Sequence, residues 1–242
     1  MNPSTLKEAK ALNDGIKKKM VAIKKTTVVL CPPSIFLTTL KGKSSSKKLF
    51  YGAQSVGKEK SGAFTGEIAV SMLKNAGGTY SLVGHSERRA MGETDDDVSK
   101  KVGLLVAENV HPVLCVGEKE VDDHAGHLSF IKNQLVRGLS LISPSQITQV
   151  IIAYEPVFAI GAKEPITPHT IYQRNIFIKK VLAEIYGKNK AFDVPILYGG
   201  SVTFENAKTL VEGGEVDGLL VGRDSLKANN FIELVKQIDS LS

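Results

Sequence analysis

The sequence lacks several features that define other classes of protein. It has no tryptophan and only two cysteines, Cys31 and Cys115, so a disulfide framework is excluded and we expect a reduced, cytoplasmic protein. No apolar run approaches the ~18–20 residues of a membrane span, and residues 1–20 contain no apolar stretch typical of a signal peptide. The chain also has no linker and no change in composition, which predicts a single domain over residues 1–242.

The composition is otherwise that of a globular protein with a modest excess of positive charge. Hydrophobic residues make up 42% of the chain and charged residues 23%, and 31 basic against 25 acidic residues give a net charge of +6. The lysine runs at 17–19 and 24–25 are not interleaved with aromatics and lie in no DNA-binding motif. We therefore expect a solvent-exposed lysine face, with no nucleic-acid or membrane partner, and a field that attracts a small anionic substrate.

Short apolar runs alternate with segments of helical spacing along the whole chain. Most of these runs are apolar at consecutive positions, as in parallel strands buried on both faces. The repeated β–α units predict an α/β domain, either an open doubly wound sheet or a closed eight-stranded barrel. The predicted strands are Thr26–Leu30, Lys48–Gly52, Ser81–Gly84, Pro112–Val116, Val150–Ala153, Pro195–Tyr198 and Gly218–Val221, with helices near 5–20, 67–76, 94–109, 128–141, 168–187, 204–213 and 228–239.

Distinctive polar residues occur where different strands end, which favours the barrel, whose sites lie at the carboxyl ends of its strands. His85 follows one strand, and a neutral imidazole there can donate a hydrogen bond to a substrate carbonyl oxygen. Glu155 follows another, where a poorly solvated carboxylate is suited to remove a proton from carbon. A structural ion pair for the glutamate and a structural role for the histidine remain the alternatives.

Three further loops point to a closing segment and a phosphate site. The apolar stretch after Glu155 is bounded by proline and glycine, which is typical of a lid that excludes water, although a permanently packed edge is the alternative. The loops around Ser201 and Gly222 carry glycines whose N–H groups can approach an anion.

The sequence offers no clear metal site. His124 and His127 lack a third ligand, so we predict that the protein binds no metal.

The strand-end motifs resemble those of the triosephosphate isomerase family. The resemblance runs from about residue 1 to the C-terminus and implies a (β/α)8 barrel, usually dimeric and cofactor-free. It implies interconversion of dihydroxyacetone phosphate and glyceraldehyde 3-phosphate, a step of glycolysis and gluconeogenesis. The matching motifs are Ser61–Glu67 (SGAFTGE), Val83–Arg89 (VGHSERR), Ala153–Gly161 (AYEPVFAIG), Tyr198–Ser201 (YGGS) and Asp217–Gly222 (DGLLVG).

The resemblance also assigns roles to individual residues. It implies that Glu155 moves the proton between two carbons, that His85 polarises the carbonyl, and that Glu87 supports them. The loop over residues 54–67 matches the segment that enters a partner subunit. The implied phosphate site comprises Gly161, Ser201, Gly222 and the adjacent Arg223, and the implied lid comprises Pro156, Val157, Phe158, Ala159, Ile160, Gly161, Ala162 and Lys163.

Several positions depart from the family pattern. Phe158 stands where the family has tryptophan, Ala162-Lys163 where it usually has Thr-Gly, and Arg223 where a second glycine is common. The family opens with a strand that ends in a catalytic lysine, whereas this sequence begins near the end of that motif. We therefore expect a barrel without its first strand, two unpaired sheet edges and impaired activity unless Lys7 or Lys10 supplies the charge.

Three functions remain open at this point. The first is the isomerase activity, and the second is a non-catalytic phosphate-binding or interaction protein derived from a barrel that has lost its cation. The third is another sugar-phosphate enzyme with a different acid–base pair. An isomerase assay on the chain distinguishes the first from the second, and substitution of Glu155 and His85 distinguishes the first from the third.

Overall fold

A computed structural model describes residues 2–42, 46–120, 126–159 and 166–241. All seven predicted strands are present, with boundaries that differ by one or two residues from the prediction. They form one parallel sheet in sequence order, so each strand is linked to the next by a crossover that contains helix. The strands are β1 (Val28–Leu30), β2 (Leu49–Ala53), β3 (Tyr80–Val83), β4 (His111–Val116), β5 (Ile151–Tyr154), β6 (Ile196–Tyr198) and β7 (Gly218–Leu219).

Among the described residues the sheet is not closed. Strand β1 pairs with β2 and strand β7 with β6, and the two outer edges of the sheet have no strand partner in this part of the chain. Burial follows the same pattern, because nearly all residues of β4 and β5 are buried whereas β7 is half-buried. This agrees with the expectation of an α/β barrel without its first strand.

The helices cover the outside of the curled sheet. The ten α-helices of the described segments are α1 (Leu6–Lys19), α2 (Ser34–Lys41), α3 (Val70–Asn75), α4 (Ser86–Ala90), α5 (Asp95–Ala107), α6 (Gly126–Gly138), α7 (Pro168–Tyr186), α8 (Lys188–Asp193), α9 (Phe204–Gly214) and α10 (Ala228–Asp239). Helices α2, α4 and α8 were not predicted, since they are only five to eight residues long and too short to show a clear helical period.

Local sequence explains where several helices begin. The Thr5 hydroxyl accepts a hydrogen bond from the Glu8 N–H while the Glu8 carboxylate accepts one from the Thr5 N–H, which forms a capping box at the start of α1. Thr94 and Asp97 form a second capping box at α5. These contacts satisfy N–H groups that the first helical turn leaves unpaired.

The first and last helices meet beside the open sheet edges. A Cβ atom added to Gly15 of α1 would lie only 2.9 Å from the Cβ of Ala228 at the start of α10, so the two helices pack closely. The Asp239 carboxylate at the end of α10 accepts backbone N–H groups from Lys24, Lys25 and Thr26 at 3.0, 2.7 and 2.6 Å. These contacts hold the helical layer together where the strand layer is open.

The core lies between the sheet and the helical layer, and a small second cluster lies inside the sheet. This inner cluster comprises Val113, Cys115 and Ala153, so Cys115 packs as a small apolar residue. No helix within the described ranges is long and apolar enough to cross a membrane.

Candidate active site

The end of β3 presents His85 to the carboxyl end of the sheet. The strand ends at Val83, Gly84 turns the chain with a φ of +71°, and His85 is the N-cap residue of α4. The ring atom Nδ1 of His85 accepts a hydrogen bond from the Glu87 N–H at 3.3 Å. Because Nδ1 is an acceptor, the neutral imidazole carries its proton on Nε2, the atom that faces the centre of the site.

Glu155 follows β5 directly and its side chain points towards the same histidine. Only 2% of Glu155 is exposed, and its N–H donates to the Val116 carbonyl at 2.8 Å. Its Oε1 atom lies 3.1 Å from Nε2 of His85, and the Ser86 N–H at the start of α4 donates to Oε2 at 3.4 Å. The structure therefore brings together the two residues predicted to be catalytic.

Two glycines make room for Glu155 on the neighbouring strands. The register pairs Tyr154 with Val116 on one side and with Tyr198 on the other, so Gly117 and Gly199 flank Glu155. A Cβ atom on Gly117 would lie 1.8 Å from the Glu155 carbonyl oxygen, and one on Gly199 would lie 2.8 Å from its Cγ atom. A larger residue at position 117 would therefore meet the Glu155 backbone, and one at position 199 would meet its side chain.

The proximity of this carboxylate changes the acid–base properties of its neighbours. Burial lowers the pKa of His85, but the hydrogen bond and charge of Glu155 outweigh it, so the pKa of His85 is raised overall. Burial, followed by the Glu155 charge, raises the pKa of the Cys115 thiol well above its usual value. Cys115 is therefore a neutral thiol beside the site, and not a nucleophile.

The beginning of the predicted lid lies directly after Glu155. Pro156 and Ala159 are buried, Val157–Ala159 forms one turn of 3₁₀-helix, and Phe158 is 40% exposed. An apolar ring exposed beside a polar site is consistent with a segment that packs further when a ligand binds. The remaining predicted lid residues, Ile160, Gly161, Ala162 and Lys163, lie outside the described residues, and with them the predicted phosphate contact of Gly161.

The lid and one predicted phosphate loop are in contact. Ser201 follows β6 and lies three residues before α9, and its hydroxyl donates to the Ala159 carbonyl at 3.2 Å. Gly222 and Arg223 follow β7 by only a few residues, and both are exposed. Ser201, Gly222 and Arg223 therefore all follow the last two strands, at the carboxyl side of the sheet, where barrel enzymes hold phosphate.

Sequence reasoning missed a buried polar group beneath the lid. The Glu118 side chain is only 1% exposed, and its Oε1 atom accepts hydrogen bonds from the Tyr154 hydroxyl and from Nε of Arg174, both at 3.1 Å. The Glu118 carbonyl also accepts the Val157 N–H at 2.9 Å, which anchors the beginning of the lid. The available signal was the position of Glu118 just after β4, which parallels that of Glu155 after β5.

A cavity of about 310 Å³ opens beside His85. Glu87 and Arg88 line it together with Gln54 and Ser55, and neither Lys7 nor Lys10 is among its described lining residues. Within the described ranges, no cluster of three or more metal-ligating side chains occurs; this leaves out His124, which lies outside those ranges.

Comparison with known proteins shows the family of this chain. The sequence model of the triosephosphate isomerase family matches residues 1–238. The chain belongs to the triosephosphate isomerase family. Triosephosphate isomerase from Roseiflexus sp. (strain RS-1) is 40% identical over 233 residues, which cover 96% of this chain and 92% of the relative. The enzyme from Endomicrobium trichonymphae is 37% identical over 235 residues, 96% and 93% of the two chains. The one from Chlamydia trachomatis serovar D is 37% identical over 238 residues, 97% and 86%.

Proposed function

We propose that this protein is a triosephosphate isomerase, which interconverts dihydroxyacetone phosphate and D-glyceraldehyde 3-phosphate without a cofactor. The observation that carries the proposal is the 3.1 Å contact between His85 Nε2 and Glu155 Oε1 at the carboxyl end of a parallel sheet. It places a carboxylate base and an imidazole hydrogen-bond donor within reach of the two adjacent carbons of one small substrate.

The geometry suggests a role for each group in the reaction. Glu155 removes a proton from C1 of dihydroxyacetone phosphate, and the C2 oxygen takes up the developing negative charge. The Nε2–H of His85 donates to that oxygen and stabilises the enediolate. His85 then moves a proton between the two oxygens, and Glu155 returns its proton to C2 to give the aldehyde. Burial of Glu155 keeps water away from the carboxylate during these steps.

The substrate phosphate would bind at the loops after the last two strands. Ser201, Gly222 and the exposed Arg223 supply a hydroxyl, backbone N–H groups and a positive charge on this side of the sheet. Because the Ser201 hydroxyl is also hydrogen-bonded to the Ala159 carbonyl, binding of the phosphate is linked to the beginning of the lid. The family resemblance adds Gly161 to this phosphate site.

We also propose a cytoplasmic homodimer that forms through the loop over residues 54–67. A second cavity of about 390 Å³ lies beside this loop and is partly apolar, since Phe64, Met72 and Met91 line it. These three side chains are 47%, 60% and 77% exposed in the single chain. A monomer rarely leaves large apolar side chains grouped on its surface, so a second copy is the proposed occupant.

The family resemblance implies a lysine charge at the substrate carbonyl, and no lysine is among the described residues that line the cavity beside His85. Loss of one such electrostatic group costs on the order of 10²–10³ in rate, so we expect slow turnover unless another lysine supplies the charge. A coupled isomerase assay tests this, performed on the chain and on a version extended by an N-terminal strand that ends in lysine. Turnover that rises strongly with the added strand supports the proposal. Phosphoglycolate binding without turnover in either protein would instead favour the non-catalytic alternative.

A further inference from the structure

The backbone N–H and C=O groups of Gly84, the residue before His85, are both held by charged side chains. Strand β3 ends at Val83, and the Gly84 N–H donates to Oε2 of Glu93 at 2.9 Å. The Gly84 carbonyl accepts a hydrogen bond from Nε of Arg89 at 2.7 Å. Glu93, Arg89 and Lys101, which pairs with Glu93, form a cluster that we call the Gly84 clamp.

The position held by the clamp strongly favours glycine. Gly84 has a φ of +71°, a left-handed conformation that L side chains rarely adopt. An added Cβ atom would lie 2.9 Å from Nη2 of Arg89 and 3.1 Å from Cγ2 of Val98. The clamp therefore closes tightly around the backbone at the point where the chain turns from β3 to His85.

The first part of the clamp is the buried ion pair between Glu93 and Lys101. The side chains of Glu93 and Lys101 are only 3% and 5% exposed, and the Lys101 ammonium contacts Oε1 of Glu93. Lys101 also donates to the Ser55 hydroxyl at 3.3 Å. Since buried ion pairs give little net stability over apolar side chains of similar size, stability alone does not explain this pair. What the pair does is orient Oε2 of Glu93 towards the Gly84 N–H.

The second part of the clamp is Arg89, which is fixed by a further contact outside the clamp. Nη1 of Arg89 donates to Oδ1 of Asp95 at 2.7 Å, so the guanidinium is held from both ends. Three segments meet at Gly84 as a result: the loop after β2 through Ser55, helix α4 through Arg89, and helix α5 through Lys101 and Asp95.

We propose that Glu93 and Lys101 are positioning residues for His85, which set the direction of its ring through the backbone of Gly84. His85 follows Gly84 directly, so a rotation of the Gly84 backbone moves Nε2 relative to the Glu155 carboxylate 3.1 Å away. A displacement of about 1 Å can cost 10²-fold in rate. The kinetic consequence rests on the proposed isomerase function, whereas the effect on the histidine ring does not.

The test replaces the buried charges with neutral side chains of the same length. In the double variant Glu93→Gln/Lys101→Met, no unpaired charge is left in the interior. We expect kcat to fall about tenfold or more with KM within about twofold, because the substrate's phosphate contacts are unchanged. In protein labelled with ¹⁵N-histidine, the ring nitrogen signals of His85 should shift, since its contacts with Glu155 and Glu87 change.

The matched control is Lys179→Met. Lys179 is a part-buried lysine that donates to three backbone carbonyls around α8, those of Ala191, Phe192 and Val194, and it has no contact with the clamp. Its loss should lower stability without moving the His85 signals or the kcat of the folded protein. Unchanged His85 signals and unchanged kcat in the folded double variant overturn the proposal. Equal changes in Lys179→Met overturn it as well.

A second variant covers the case in which the double variant does not fold. Arg89→Lys keeps a positive charge near Asp95 but removes the Nε donor to the Gly84 carbonyl, and it should also shift the His85 signals. If it leaves them unchanged, the proposal is wrong. If the unmodified chain shows no turnover, the proposed function fails, but the histidine signals still decide whether the clamp positions His85.

Discussion

The Glu155 carboxylate lies 3.1 Å from Nε2 of His85, although strand β4 separates the strands that carry the two residues. The pair forms because both residues directly follow the ends of parallel strands, or are one glycine beyond them, on the same side of the sheet. Gly117, which follows the intervening β4, leaves room for the backbone of Glu155, whose carbonyl oxygen would lie 1.8 Å from an added Cβ atom.

The titration of His85 should depend on Glu155. Since the glutamate raises the pKa of His85 and burial lowers it, the substitution Glu155→Gln should lower this pKa below that of the unmodified protein. NMR of the imidazole signals across pH measures the change. An unchanged His85 pKa in the variant would show that the carboxylate does not control the histidine.

The same pair predicts a pH dependence of stability. The pKa of His85 is raised in the folded protein, so the pair contributes stability that is fully present below the unfolded value of about 6.5. This contribution is lost as the pH rises through the folded pKa. The difference in unfolding free energy between the unmodified protein and Glu155→Gln should therefore shrink from pH 6 towards pH 8, as measured by urea unfolding.

Shortening the proposed base should affect chemistry more than binding. Glu155→Asp withdraws the carboxylate by about one bond length from the substrate carbon, so kcat should fall on the order of 10²-fold. KM should change little, because the phosphate contacts lie on other loops. Steady-state kinetics measure both values, and a kcat within threefold of the unmodified enzyme is not compatible with Glu155 as the base.

The glycine beside Glu155 offers a test that leaves the carboxylate itself intact. Gly199→Ala places a Cβ atom 2.8 Å from the Glu155 Cγ atom and should push the side chain away from His85. We expect kcat to fall about 10- to 100-fold. The control is Gly103→Ala in α5, where the added methyl meets only the exposed Leu141 side chain at 3.3 Å. If both variants keep full activity, the close packing around Glu155 is irrelevant.

The buried ion pair between Glu118 and Arg174, beneath the beginning of the lid, should contribute to the stability of the fold. Arg174→Met leaves the Glu118 carboxylate buried without its cation and should lower the unfolding free energy by about 3–5 kcal/mol. The double variant Arg174→Met/Glu118→Gln removes the orphaned charge as well and should regain part of this loss. Urea unfolding of both variants measures the difference, and equal stabilities would contradict the assigned ion pair.

The sequence allowed much of this fold to be predicted because the strands are short, apolar and buried on both faces. Consecutive apolar residues mark β4 and β5 clearly, and the Thr5–Glu8 capping box marks the start of α1. Helix α4 (Ser86–Ala90) was missed because four of its five residues are polar and show no hydrophobic period.

Only part of the candidate site could be predicted from the sequence, because some of its contacts join residues that are distant along the chain. His85 and Glu155 could be identified because each follows a strand, and the family motifs added their roles. The contact of Lys101 with Ser55 and the Glu118–Arg174 pair join residues 46 and 56 positions apart in sequence. Their partners are set by the curvature of the sheet, which no local pattern encodes.

Deuterium exchange tests the central claim, proton transfer by Glu155, most directly. Dihydroxyacetone phosphate is incubated with the protein in D₂O, and NMR follows deuterium at C1 of the substrate and at C2 of glyceraldehyde 3-phosphate. The account predicts deuterium at both carbons with the unmodified protein, and a rate lowered by at least 10²-fold with Glu155→Gln. Exchange that is equally fast in the variant, or absent in both the unmodified chain and the version with the added strand, would contradict it.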